Sequence, residues 1–201
     1  MTKKVILAAG IAAAVIAALV TAYLAPAEQS LGDAVKLVYL HAGLVFVSLI
    51  LVTCVGVLGF LFLVTGKSVF FAWAKPTKVV TLIFWFVYLS SSLLTMKLAW
   101  GGIMWGEPKL LLAGSIFLIL LAIFLVSLTF HAPKVIASLN LFMGASVWFL
   151  LSRVPAVMHP TSSPIRNSSS TFIKLDTLLI FLFFLAAAVL SVILTRALTR
   201  D

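Results

Sequence analysis

Six long apolar runs, each free of Lys, Arg, Asp and Glu, constrain this chain more than any other feature. They cover about Val5–Leu24, Val38–Val64, Val79–Met96, Leu110–Phe130, Val135–Leu151 and Thr177–Leu194. A helix needs roughly 17–25 predominantly apolar residues to cross a bilayer, and an uncompensated charge inside one is costly. The alternation of a membrane barrel is missing from all six runs. The pattern predicts an all-α polytopic membrane protein, one domain over residues 1–201 with six transmembrane helices and no room for a soluble domain. Composition agrees, with 64% hydrophobic and only 9% charged side chains. Soluble domains run nearer ~45–50% and ~25%, so the apolar surplus must face lipid.

The first run, between Lys3-Lys4 and Ala25-Pro26-Ala27, has the outline of a secretory signal. Its apolar stretch exceeds the usual ~7–15 residues, which favours a retained helix.

The formal charge of +9 does not point to nucleic acid, because the cations sit between the apolar runs. They read as topology signals and headgroup contacts. With the N-terminus in the cytoplasm, the inner side holds Lys3, Lys4, Lys67, Lys75, Lys78, Lys134, Arg196 and Arg200. The outer side holds Lys36, Lys97, Lys109, Arg153, Arg166 and Lys174. Eight against six gives an N-in, C-in expectation. Gly66–Lys78 reads as a basic-aromatic inner loop, anchored at the interface, and His131–Lys134 as a tight inner turn.

Cys54, the single cysteine, is expected as a small buried apolar residue. Without C-x-x-C there is no dithiol centre, and without C-x-x-C-H the chain is not itself a c-type cytochrome. A nucleotide-binding P-loop is missing, so any ATP-driven step belongs to another subunit. With no Ser-His-Asp set or carboxylate pair, the chain is not expected to be an enzyme.

The polar residues of interest gather on the expected outer face. His41 lies near the start of the second run, after Ser30-Leu31-Gly32-Asp33, which resembles a helix-capping box. Counting from Leu31, it falls ~15 Å along the helix, near the membrane boundary. His159 follows the fifth run between Pro155 and Pro160. Haem iron takes one or two neutral imidazoles, its faces want apolar packing, and its propionates want cations. Trp100 and Trp105, with Lys36, Lys97 and Arg153 as a cationic rim, complete that set of groups. From residue types alone, each histidine reads more readily as a helix-end hydrogen-bonding group than as a ligand.

The run Ala25-Pro26-Ala27-Glu28, then Gly32-Asp33, then Lys36-Leu37-Val38-Tyr39-Leu40-His41 resembles the opening of the CcmC family. The segment from Leu98 through Trp100, Gly101, Trp105, Gly106 and Glu107 to Lys109-Leu110 is similar to that family's tryptophan-rich outer loop. Ser138-Leu139-Asn140 and Val147–His159 are similar to its fifth span and second external histidine. Ile103 and Met104 stand where the family has paired tryptophans, Gly106 replaces the third, and Ala42-Gly43 follows the first histidine in place of Val-Pro.

The resemblance implies a protein that binds haem b transiently at the outer face of a prokaryotic plasma membrane. It implies His41 and His159 as axial ligands, Trp100 as a loop tryptophan, and Glu107 and Lys109 as an acidic-basic pair. The implied partners are a haem chaperone and the ABC-transporter subunits of cytochrome c maturation, besides membrane lipid. Two other readings stand beside it. One is a b-type haem electron-transfer protein, which wants histidines at membrane depth. The other is a haem-free transporter or structural subunit, whose mark is an ionisable residue or broken helix at mid-membrane. None of the six runs holds such a residue.

Overall fold

A computed structural model describes residues 2–130, 132–154, 165 and 168–199. Six helices form among them: α1 Thr2–Leu24, α2 Val35–Thr65, α3 Ser68–Ala99, α4 Pro108–Thr129, α5 Pro133–Arg153 and α6 Thr171–Leu198. All six are long and apolar enough to span a bilayer. Among the described residues there is no strand, only an isolated bridge between Glu28 and Gly32. The chain is a multi-pass membrane protein.

The helices are apolar all round, which leaves large hydrophobic side chains such as Phe46, Phe60, Leu118 and Phe142 on the outside of the bundle. In water that surface would be untenable; in lipid it is the expected solution. Cys54 belongs to this outer surface and is not buried as its apolar surroundings predict. An all-apolar run carries no periodicity from which to choose its inward face.

Helix α2 is the axis of the bundle, packed against α3, α5, α6 and α1. Small residues let α5 approach it closely. A Cβ added at Gly144 would lie 2.8 Å from Gly56 Cα, and one added at Gly59 would lie 2.6 Å from the Ala137 carbonyl oxygen. Near the same interface, the Trp148 indole donates to Thr53 Oγ1 at 2.9 Å. These pairings run antiparallel, so each residue toward the start of α2 is matched by one toward the end of α5. On the other side Phe62 meets Phe71, and His41 meets Tyr88 and Ser91, which makes α2 and α3 antiparallel too.

Two cores result. One gathers Ala18, Ala22, Val35, Tyr39, Val47, Ile180 and Phe184 where α1, α2 and α6 meet. The other gathers Val52, Val55, Trp85, Leu120 and Met143 between α2, α3, α4 and α5. Trp85 satisfies its buried N–H by donating to the Ala113 carbonyl at 2.9 Å.

The expected inner loop Gly66–Lys78 is largely helix. Gly66, at φ 66°, caps α2 in the left-handed conformation, its N–H donating to the Phe62 carbonyl. The chain then re-enters a helix at Ser68 and runs through Pro76 without ending. Pro76 lies inside the helix, where it removes one backbone N–H donor without ending the helix. Lys78 is therefore a helix-interior residue, 2% exposed, rather than a loop cation.

Candidate functional site

The connections 25–34 and 100–107 share one end of the bundle with Val154 and Ser168–Ser170, together with His41 and all four described acidic side chains. The first connection is a compact turn. Gly32, at φ 55°, takes a conformation costly for other residues and exchanges backbone hydrogen bonds with Glu28. The Glu28 carboxylate accepts from the Ser30 hydroxyl and from the Ser30 and Leu31 amides. Ser30 is thus held by Glu28 and does not act as a helix cap. Helix α2 starts four residues later than the capping-box reading places it, with Ala34 as N-cap. The buried Tyr39 hydroxyl donates to the Pro26 carbonyl at 3.1 Å and ties this turn to α2.

His41 therefore sits six residues, ~9 Å, into α2. Its Nδ1 lies 3.1 Å from Ser91 Oγ on α3, and its ring lies 5.5 Å from that of Tyr88. Ser91 spends its own proton on the Tyr88 carbonyl at 2.7 Å. Its oxygen is then the acceptor and Nδ1 carries the hydrogen. An imidazole held by its far nitrogen in this way is the usual arrangement of a metal-ligating histidine. Ser91 has a sequence signal only in hindsight: Ser90-Ser91-Ser92 is a polar island in the third apolar run.

The other predicted residues are placed unevenly. Trp100 caps α3, nine residues (~13 Å) beyond Ser91, and packs on the core that contains Tyr39. Gly101, at φ 77°, turns the chain away after it. Trp105 is 68% exposed, and Lys97 is exposed as well. Lys36 is already engaged, 2.8 Å from Asp33 and over the Tyr23 ring. Arg153 lies over the Phe149 ring one turn back on its own helix. The three cations thus form no shared rim among the described contacts. His159, His131 and Arg166 lie outside the described residues.

Glu107 is fully buried and accepts from the Lys109 backbone N–H at 3.4 Å as the N-cap of α4. Lys109 is exposed. The printed contact between the two residues is thus a helix cap from the Lys109 backbone to the Glu107 carboxylate.

No family model and no curated protein matches this chain.

The chemistry available in the described part is that of one oriented imidazole beside an aromatic ring, near a helix end. A haem iron accepts that donor set.

Proposed function

We propose that this chain is a haem-handling membrane protein, which presents haem at the outer surface of a prokaryotic plasma membrane for c-type cytochrome biogenesis. Its partners in this reading are a haem chaperone and ABC-type subunits, and it acts as a carrier rather than a catalyst. The observation that carries the proposal is the Ser91–His41 contact, which orients the imidazole through its Nδ1 at the bundle end that holds the polar connections. The resemblance of residues 25–41, 98–110 and 138–159 to the CcmC family supports the same assignment.

His41 and His159 would hold the iron, with Trp100 and Trp105 on the apolar side and Arg153, Lys36 and Lys97 available to the propionates. Bound haem supplies an iron centre and two carboxylates. The protein supplies orientation and a way to let go. The antiparallel register of α2 and α5 puts Val154 level with about Phe46, ~8 Å below His41. Five residues of chain reach at most ~17 Å, so covalent length permits both imidazoles to serve one iron. The bundle end that carries these groups faces outside in this reading, with both termini cytoplasmic.

The test is haem stoichiometry and ferric spin state in purified wild type, His41→Ala, His159→Ala and the double variant. Each single change should leave a weakly held five-coordinate or water-ligated haem, and the double change almost none. Full low-spin occupancy in the double variant would overturn the assignment. Lys78, buried inside the bundle, favours the haem-free transporter as a second reading. A protein purified from haem-replete cells without a Soret band would support that alternative.

A further inference from the structure

At the opposite end of the bundle, a cavity of about 220 Å³ lies between α3 and α6, lined by Phe71, Ala72, Lys75, Pro76, Arg196 and Thr199. Arg196 belongs to the last turn of α6 and Thr199 caps that helix. The cavity is therefore at helix-end depth, where headgroups meet a membrane protein.

Its lining divides into a cationic and an apolar half. The Arg196 guanidinium carbon lies 3.6 Å from the centroid of the Trp73 ring. Stacking of that kind fixes the guanidinium plane. Lys75 brings a second, exposed cation one turn along α3 from Phe71. Phe71, Ala72 and Pro76 form the apolar side. Inorganic phosphate needs only the cations, whereas a phospholipid uses both halves.

Charge distribution selects the headgroup. Lys3, Lys4, Lys67, Lys75 and Arg196 all belong to this end, while the described acids Glu28, Asp33, Glu107 and Asp176 belong to the other. Asp201 lies outside the described residues. Gly10 lies against Leu190, so in the α1–α6 pair Lys4 falls level with Arg196. A zwitterionic headgroup would add a cation to this cluster. An anionic one neutralises it.

We infer that this cavity seats an anionic phospholipid, with its phosphodiester between Lys75 and Arg196 and its glycerol end against Phe71 and Pro76. The site is independent of the haem proposal and lies at the other end of the protein.

Native mass spectrometry of the full chain in detergent, titrated with phosphatidylglycerol or phosphatidylcholine, tests the inference. Phosphatidylglycerol should be retained preferentially. Lys75→Gln and Arg196→Gln should each weaken retention roughly fivefold, on the order of 1 kcal/mol per cation. Lys134→Gln, at the same end but outside the cavity, should leave retention unchanged. Lys75 is exposed, so Lys75→Gln keeps the test valid if the arginine variant misfolds. Equal retention of the two lipids, retention unaffected by Lys75→Gln, or complete displacement by inorganic phosphate would each overturn the assignment.

Discussion

Lys78 Nζ lies 3.2 Å from Asn140 Oδ1, and the pair joins α3 to α5 with neither side chain reaching the bundle surface. An ammonium in a low-dielectric interior is costly unless an acceptor meets it. The Asn140 amide is that acceptor, set at the level where Gly59 lets α5 approach α2. Asn140→Leu should cost about 2–3 kcal/mol by stranding the ammonium. Lys78→Met should cost less, and the double variant should recover part of the Asn140→Leu loss. Unfolding in mixed micelles measures all three, and strictly additive losses would show that the two residues do not act as a pair.

Gly59 has no room for a methyl group, whereas Gly114 meets nothing within 4 Å. Gly59→Ala should destabilise the α2–α5 pair by about 1–3 kcal/mol, because backbone and not a flexible side chain must move. Gly114→Ala should be neutral or gain up to about 1 kcal/mol in helix propensity. The same micelle assay separates them. Equal effects would mean that the close approach does not limit packing.

Ser91→Ala removes the oxygen that holds His41 Nδ1 and leaves the ring in place against Tyr88. In the haem reading, affinity should fall by roughly 10–100-fold, the usual effect of losing a partner behind a metal-ligating histidine. Thermal stability should change little. Haem titration followed by the Soret band reads the affinity directly, and unchanged affinity would remove Ser91 from the proposal.

The Ser30 hydroxyl beside Glu28, helped by the Ser30 and Leu31 amides, holds its carboxyl below the ordinary value of 4.5. A carboxylate lowered in the fold stabilises the folded turn above the ordinary value, and this contribution fades as pH falls through the lowered one. Amide shifts of Ser30 and Leu31 should therefore titrate together below pH 4.5. Glu28→Gln should abolish that titration while leaving the rest of the spectrum unchanged.

The proposed orientation is open to labelling in a Cys54→Ala background. A cysteine at the exposed Trp105 position should react with an impermeant maleimide in intact cells. One at Lys67, in the two-residue link between α2 and α3, should react only after permeabilisation. The reverse pattern would invert the bundle and move His41 to the cytoplasmic side.

Six helices were legible without coordinates because hydrocarbon leaves the backbone few options: a long uncharged run must satisfy its own hydrogen bonds as a helix. The clustering of polar residues around 25–41 and 97–109 was legible for the same reason, since those residues cannot enter lipid unpaired. What the runs concealed was which side of each helix faces inward. Cys54 and Val55 are adjacent and similarly apolar, yet one is exposed and the other buried. Glu107 read as the acidic member of an acidic-basic pair, and its capping role depends on where α4 begins. Lys78 read as a loop cation, because the third uncharged run begins only at Val79. Its burial depends on Asn140, 62 positions away. The tautomer of His41 likewise depends on Ser91, 50 positions away. Local chemistry determined that this chain crosses the membrane as helices. Only the packing of α2 against α3 and α5 decided which polar groups meet inside, because each such group is stable there only with a partner from another helix.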